Sequence, residues 1–316
     1  MPTILLWLDE ADTYRQAAER AGLAERCELV ALPRAAVPDA ALLDRADAIL
    51  AWGAPPGLLA RMPKLRWIQA LTAGVEMWLG RPDLSDRFTL CCARGTHRVS
   101  MPENILAALF HLTKPYTEAV LAQRERKWLR RIGVPLAGKT LGILGIGAIG
   151  AELARKAAAL ELRVIGTRRR PEPVPHVEKL LPPERTAEVL AESDFVVLLL
   201  PLTPATENSV NAEFLSHMKP EAWLLNFARG ALVVDADLIA AVQARRIAGA
   251  VLDVFRQEPL PPEHPFWSTE NILVLPHIGG LHPTRDAIVA ELFAENLGRF
   301  LDGRPLTAVV DRSAGY

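Results

Sequence analysis

Three polar side chains in the second half of the chain have the types needed to bind an anion and to move a proton. Arg229 lies in NFARGALV, Glu258 in LDVFRQEPLP and His277 in LPHIGG, and each follows a segment that predicts a β-strand. A guanidinium can hold a carboxylate and polarise a ketone. An imidazole can deliver a proton near neutral pH, and a carboxylate bonded to it would favour the imidazolium and fix its orientation. Each residue alone is more often a surface or structural residue, so the interpretation depends on the three together.

A glycine-rich turn precedes these residues. The stretch LGILGIGAIG places Gly145, Gly147 and Gly150 in a G-x-G-x-x-G pattern, after an apolar strand and at the start of a helix. Gly145 permits a tight turn, Gly147 lets the backbone approach a pyrophosphate, and Gly150 allows close packing of helix and strand. The helix N-terminus adds N–H groups and a positive dipole for the phosphates. The pattern predicts a dinucleotide site; the alternative is a glycine-rich turn without a ligand.

The end of the next predicted strand, RVIGTRRR, indicates which dinucleotide is bound. NAD sites place an acidic residue about twenty positions after the glycines, to bond the ribose 2′-OH. Here no acid lies between Glu161 and Glu172. Guanidinium groups bind a 2′-phosphate well, whereas a carboxylate would repel it. We therefore expect NADPH or NADP, with NADH weaker, and Arg168 and Arg169 as phosphate ligands assisted by Thr167. A solvated basic loop is the alternative.

Composition narrows the class of protein. The 316 residues predict two domains, and a formal net charge of −1 implies no general attraction to nucleic acid or to an anionic membrane. The longest aliphatic run, FVVLLLPL, is too short to span a bilayer. Cys27, Cys91 and Cys92 lack metal-binding spacing. We interpret them as reduced thiols of a cytoplasmic protein and expect no metal site.

Strand-like and helix-like segments alternate along most of the chain. They predict an α/β fold with two Rossmann-like or flavodoxin-like domains, parallel sheets and a cleft between the domains. In the second domain the continuous apolar runs LRVIGT, FVVLLL, WLLNFA and GAVLDV are typical of strands buried on both faces.

The domain boundaries are predicted from the helices. SMPENILAALFHLTKPYTEAVLAQRERKW predicts one long helix that begins with Ser100 and Glu103 at capping-box spacing and carries the chain into the second domain. We expect a dinucleotide-binding domain over 104–282. A discontinuous substrate domain would comprise 1–103 plus 283–316.

The motifs, taken in order, resemble one family. GILGIGAIG, LPLTPAT, NFARG, LDVFRQEPLP and LPHIGG are similar to motifs of the D-isomer-specific 2-hydroxyacid dehydrogenases, over nearly the whole chain. TRRR, PLPPEHPFW and VVDRSAGY resemble its glyoxylate/hydroxypyruvate reductase A group most closely. The sequence departs from the family at MPEN, where an AE pair is common. The resemblance implies NADPH-dependent reduction of small 2-keto acids, such as glyoxylate and hydroxypyruvate, to D-2-hydroxy acids, with His277 as general acid.

The same resemblance implies which residues contact the ligands. The implied and predicted cofactor contacts are Gly145, Ile146, Gly147, Ala148, Ile149, Gly150, Thr167, Arg168, Arg169, Leu200, Pro201, Thr206, Phe227, Ala228, Asp253 and Gly279. Asp253 matches the position that contacts the nicotinamide carboxamide. For the substrate, the implied contacts are Trp52, the TAGVE loop at Ala73, Gly74 and Val75, Met101, and Arg229. The family also pairs through its nucleotide domains, which implies a homodimer. Trp128 in RERKWLRR is the candidate residue for that contact, and a solvated basic helix end is the simpler alternative.

Two alternatives remain at this stage. One is another member of the family, such as a D-lactate or phosphoglycerate dehydrogenase, since pocket loops set the choice of substrate. The other is a binding protein, a dinucleotide sensor or corepressor that retains the fold without catalysis. The complete set of Arg229, Glu258 and His277 favours an enzyme.

Overall fold

The computed structural model describes residues 1–315; Tyr316, which ends the VVDRSAGY segment, lies outside the described residues. The chain forms two compact units. The first comprises Met1–Thr96 and the segment from His282 onward, and the second is His97–Leu281. The boundary expected at 103/104 therefore lies at 96/97, and the one expected at 282/283 lies at 281/282. The reason is local: the first turn of the helix that starts at Ser100 hydrogen-bonds to the 278–281 segment.

The first unit is built on a parallel sheet of five strands in the order β2-β1-β3-β4-β5. The strands are β1 (Thr3–Trp7), β2 (Glu28–Leu32), β3 (Ala46–Ala51), β4 (Trp67–Ala70) and β5 (Thr89–Cys91). Its helices are α1 (Ala11–Arg20), α2 (Ala40–Arg45), α3 (Glu76–Leu79) and α10 (Arg285–Leu301). This strand order is that of flavodoxin-like folds, as expected.

Both faces of this sheet are covered, which explains the unbroken apolar run at the N-terminus. Successive side chains of a strand point to opposite faces. Ile4 and Leu6 pack in one core with Phe293 of α10, whereas Leu5 and Trp7 pack in the core on the other face. The C-terminal helix α10 thus covers one face of a sheet whose first strand is N-terminal.

The second unit is built on a parallel sheet of seven strands in the order β12-β11-β10-β9-β6-β7-β8. Its strands are β6 (Thr140–Leu144), β7 (Arg163–Thr167), β8 (Lys179–Leu181), β9 (Phe195–Leu198), β10 (Trp223–Asn226), β11 (Gly249–Leu252) and β12 (Ile272–Val274). Its helices are α4 (Ser100–Thr113), α5 (Tyr116–Arg124), α6 (Ala148–Ala159), α7 (Thr186–Glu192), α8 (Ala212–Ser216) and α9 (Asp235–Gln243). The parallel α/β class predicted for both units is confirmed.

The strand order of the second unit reverses direction at β6, which pairs with β7 on one side and β9 on the other. Loops that leave the carboxyl ends of two such strands diverge, and open α/β sheets bind their ligands in the crevice that results. The glycine-rich turn follows β6, so it lies at this reversal point.

The long helix predicted over 100–128 is wrong, because the structure has two helices, α4 and α5, in its place. Lys114 between them is extended. Pro115 is the cause, since a proline disfavours helical backbone in the residue before it and has no N–H to donate.

The predicted capping box at the start of α4 is also wrong. Val99 occupies the N-cap position, and no side chain caps the helix there. The Ser100 hydroxyl instead donates to the carbonyl oxygen of Leu281 at 3.2 Å, and Glu103 pairs with Lys156. Both side chains therefore bond to residues distant in sequence instead of to the backbone at the start of α4.

No helix within residues 1–315 has the combination of length and apolar character that crossing a membrane requires.

The aromatic contact between the two ends of the chain generates a stability prediction. Phe293 is fully buried, stacked on Trp67 at 5.7 Å between ring centroids and edge-on to Tyr14 at 5.9 Å. We expect Phe293→Ala to lower the free energy of unfolding by about 3–5 kcal/mol, because it leaves a cavity between aromatic rings. Denaturant unfolding followed by circular dichroism measures this, with Val37→Ala at an exposed position as control. Equal stability of the two variants would contradict the role given to α10.

Candidate functional site

The glycine-rich turn connects β6 to α6 and has the backbone that a dinucleotide requires. Gly145 has φ of +95°, and a Cβ there would lie 2.8 Å from the carbonyl oxygen of Leu199. The N–H groups of Gly145 and Ile146 donate to the carbonyl oxygen of Thr167, which ties the turn to the end of β7. A Cβ on Gly150 would lie 3.3 Å from the Gly145 carbonyl oxygen, so the helix approaches the turn closely.

Gly147 provides a test of whether this turn fits a cofactor. It is the N-cap residue of α6, and a Cβ built on it would meet no heavy atom of the described residues within 4 Å. A glycine there leaves the backbone open on the side where a pyrophosphate would approach. The first N–H groups of a helix have no partner within the helix, so those of Ala148, Ile149 and Gly150 can face an anion. The turn therefore fits the phosphates of a dinucleotide.

The residues after β7 carry positive charge. Thr167 is buried, Arg168 is half-buried, and Arg169 and Arg170 are exposed. The N–H of Arg168 donates to the carbonyl oxygen of Leu181, so β8 fixes the backbone from which this guanidinium extends. Within residues 1–315 no carboxylate forms an ion pair with Arg168.

The loop after β9 holds the next predicted cofactor residues. Leu200 and Pro201 are half-buried at the reversal point of the sheet. The Thr206 hydroxyl donates to the carbonyl oxygen of Pro201 at 2.7 Å and accepts from the N–H of Thr203 at 2.8 Å. Thr206 thus closes the loop internally, and its hydroxyl already has partners within the protein.

The loop after β10 presents Arg229. Phe227 and Ala228 are buried, and Asn226 holds the turn: its side chain accepts from the N–H of Ala228 at 3.0 Å and donates to the Arg229 carbonyl oxygen at 2.9 Å. The Arg229 guanidinium donates to the carbonyl oxygen of Ala228 at 2.6 Å and is half-buried. The side chain is therefore anchored close to its own backbone.

Gly230 and Arg256 brace this loop against the one that follows β11, and the sequence reasoning missed both. A Cβ on Gly230 would overlap the backbone of Phe255 and Arg256. The Arg256 side chain donates through Nε to the carbonyl oxygen of Val233 at 2.9 Å. The glycine after the arginine in NFARG was the available signal, since an isolated glycine often marks close backbone approach.

Asp253, at the end of β11, is a fully buried carboxylate. Its oxygens accept from the N–H of Ile278 at 2.8 Å and from the N–H of Gly279 at 2.9 and 3.1 Å. Burial raises the pKa of Asp253 above its ordinary value, and the backbone donors act in the opposite direction. A Cβ on Gly279 would lie 2.6 Å from the carboxylate, so only glycine allows this approach.

Glu258 and His277 form the pair that the sequence predicts. Glu258 Oε2 lies 2.6 Å from His277 Nδ1, while Oε1 accepts from the N–H of Phe255 at 2.9 Å. The carboxylate is thus oriented by the backbone and in turn orients the imidazole. Because Nδ1 faces the carboxylate, Nε2 is the nitrogen left to exchange a proton with a substrate. The His277 side chain is about half exposed, which makes that exchange sterically possible.

The predicted substrate residues divide between the units. Trp52 and the 73–75 loop belong to the first unit, while Met101, half-buried on α4, belongs to the second with Arg229. The ring of Trp52 lies under the Arg285 guanidinium, 4.3 Å from centroid to Cζ.

The TAGVE loop is shaped by its own polar groups. The Thr72 hydroxyl donates to the carbonyl oxygen of Gly74 at 2.6 Å. The side chain of Val75 is buried, whereas Ala73 is exposed. The loop can therefore offer a substrate backbone groups rather than the Val75 side chain.

Groups of three or more metal-binding side chains do not occur in the part of the chain that the structure describes. The three cysteines are free thiols and buried.

Known proteins share both the sequence and the fold. Residues 106–279 match the profile of the D-isomer specific 2-hydroxyacid dehydrogenase, NAD binding domain. The glyoxylate/hydroxypyruvate reductase A of Photorhabdus laumondii is 31% identical over 277 residues, which cover 86% of this chain and 88% of the relative. That of Serratia proteamaculans is 32% identical with the same coverage.

Two crystal structures are similar over the full length. A D-isomer specific 2-hydroxyacid dehydrogenase from Xanthobacter autotrophicus, in complex with NADPH and MES, is 30% identical with a TM-score of 0.88, covering 100% of this chain and 99% of the other. The NADPH-dependent glyoxylate/hydroxypyruvate reductase of Sinorhizobium meliloti, in complex with NADP and sulfate, is 30% identical with a TM-score of 0.83, covering 100% of both chains. From its NAD-binding domain and its full-length relatives, the chain belongs to the D-isomer specific 2-hydroxyacid dehydrogenases, a family of oxidoreductases.

Proposed function

We propose that this protein is a cytoplasmic, NADPH-dependent reductase of small 2-keto acids, with glyoxylate and hydroxypyruvate as substrates and D-2-hydroxy acids as products. The observation that carries the proposal is the 2.6 Å contact between Glu258 and His277 at the same sheet edge as the glycine-rich turn. The three buried free thiols support the location.

His277 is the general acid of the proposed reaction. The reduced nicotinamide, when bound, supplies a hydride to the carbonyl carbon of the keto acid. His277 Nε2 then provides the proton that the carbonyl oxygen takes up. Glu258 holds the imidazole through Nδ1, which leaves Nε2 as the nitrogen that exchanges the proton.

Arg229 is the proposed anchor for the substrate carboxylate. A guanidinium forms paired, charge-assisted hydrogen bonds with a carboxylate, and it can also polarise the neighbouring carbonyl group. The fixed backbone around Arg229 supports this role, since a preorganised donor need not rearrange as charge develops. The backbone N–H groups of the 73–75 loop are the proposed second contact for the carboxylate.

The preference for NADPH is supported by the residues that follow β7. Arg168 extends from a backbone fixed by β8 and has no carboxylate partner among residues 1–315. The Xanthobacter and Sinorhizobium proteins with similar structures were crystallised with NADPH and NADP. A D-lactate or phosphoglycerate dehydrogenase remains the alternative within the family, and a dinucleotide sensor the alternative outside catalysis.

The first prediction from the proposed function concerns turnover. Purified protein should oxidise NADPH in the presence of glyoxylate or hydroxypyruvate, measured as loss of nicotinamide absorbance. His277→Asn should lower kcat by about 100- to 10 000-fold, since it removes the proton donor, and should leave NADPH affinity within about twofold. Tight NADPH binding without NADPH oxidation by any small 2-keto acid would contradict the proposed reductase and favour a dinucleotide sensor.

The second prediction concerns the choice of cofactor. Arg168→Ala should raise the KM for NADPH by about tenfold or more, because it removes a charge-assisted bond to the 2′-phosphate, and should leave the KM for NADH nearly unchanged. Arg170→Ala is the matched control from the same triplet and should change neither value. Equal rates with the two cofactors in the unaltered protein would refute the role of the arginines.

A homodimer is also part of the proposal, and an exposed apolar surface supports it. Trp128 is 96% exposed and Ile132 is 98% exposed, and Tyr116, Val120 and Leu121 on α5 are exposed as well. Large apolar side chains that are exposed close together along one segment are typical of an interaction site. A second copy of the chain, pairing through the dinucleotide-binding unit, is the proposed occupant.

The dimer leads to a third prediction. Sedimentation at micromolar concentration should give twice the chain mass, and Trp128→Glu should shift the protein toward the monomer, because burial of an unpaired charge opposes association. Val37→Glu, at an exposed apolar residue of the first unit, is the control and should remain dimeric. A monomeric wild-type protein would rule out the dimer.

A further inference from the structure

The backbone of His277 is in a conformation that needs external support. Its φ is +53°, in the left-handed region that non-glycine residues seldom adopt. Such a conformation persists where the surrounding contacts hold it. The residues that follow His277 therefore hold the imidazole in place against Glu258.

The 278–279 peptide is held from one side by Asp253. Both N–H groups of Ile278 and Gly279 donate to that buried carboxylate. These bonds fix the donors of the segment, but they leave its carbonyl oxygens to be satisfied elsewhere.

Asn104 of α4 binds the segment from the other side. Its Nδ2 donates to the Gly279 carbonyl oxygen at 2.9 Å, with a longer contact of 3.4 Å to that of Ile278. One turn earlier on the helix, the Ser100 hydroxyl donates to the Leu281 carbonyl oxygen. Residues four apart lie on the same helix face, so α4 presents two donors to one segment.

We propose that Asn104 is a positioning residue for the general acid: its side-chain amide, opposite Asp253, holds the 278–279 backbone so that His277 stays in its left-handed conformation against Glu258. The proposal rests on the proposed function of His277. Asn104 lies in the MPEN segment of the first two turns of α4.

Asn104→Asp removes the hydrogen-bond donor of the Asn104 side chain while keeping its packing volume. The replacement has nearly the same volume, but a carboxylate cannot donate and would face two carbonyl oxygens. With hydroxypyruvate and NADPH, we expect kcat to fall by about tenfold in this variant and by less in Asn104→Ala, while both KM values stay within about twofold.

Ala107→Asp is the matched control. It adds the same charge at an exposed position one turn along α4 and should retain the wild-type kcat and KM values. Equal kcat for Asn104→Asp and the wild type would overturn the proposal, as would the same fall in the control.

Hydrogen exchange separates this proposal from the proposed function. A peptide covering 276–284 should exchange faster in Asn104→Asp than in the wild type and in Ala107→Asp, whatever the substrate is. Unchanged exchange would show that Asn104 does not hold the segment. A wild-type protein without keto-acid reduction would refute the proposed function, and the exchange result would still decide whether the segment is held.

Discussion

A parallel sheet requires every strand to run in the same direction as its neighbours, and the candidate cofactor and catalytic residues of the second unit depend on this constraint. The glycine-rich turn follows β6, the arginines follow β7, and Arg229 follows β10. Asp253 and the loop to Glu258 follow β11, and the loop to His277 follows β12. Residues more than a hundred positions apart in sequence therefore lie along one edge of the sheet, because the strands that precede them are parallel.

Within that edge, the positions of the side chains are set by backbone contacts rather than by side-chain pairs alone. Gly230 packs on the Phe255 backbone, and the Phe255 N–H orients Glu258, which in turn orients His277. The position of His277 thus lies at the end of a series of contacts that begins at the loop carrying Arg229.

The features predicted well from sequence were those with a local signal. The G-x-G-x-x-G pattern and continuous apolar runs have a direct physical meaning, and both units have the parallel α/β fold they indicate. Strands β5 and β8 were not predicted; each has three residues, as does β12, whose strand was predicted. The uninterrupted helix over 100–128 failed because the start signal at Ser100 and Glu103 does not determine where a helix ends, and Pro115 ends this one.

Contacts between distant segments were beyond sequence reasoning. Ser100 and Glu103 have ideal spacing for a local cap, yet each has a partner from another part of the chain. Asn104 carries no motif, and its importance appears only when the 278–281 segment is placed beside α4. The charge of the arginines after β7 was evident from sequence, whereas the buried setting of Asp253 was not.

The first unit is assembled from both ends of the chain, which has a consequence during protein synthesis. Its sheet is complete once residue 96 has emerged from the ribosome, but α10, which covers one face, follows only after the entire second unit. At ordinary elongation rates this interval is roughly 10–40 s. Throughout it, Tyr14 and Trp67 lack their aromatic partner Phe293. The second unit can fold in order of synthesis, while the nascent first unit presents an apolar face to chaperones until the C-terminus arrives.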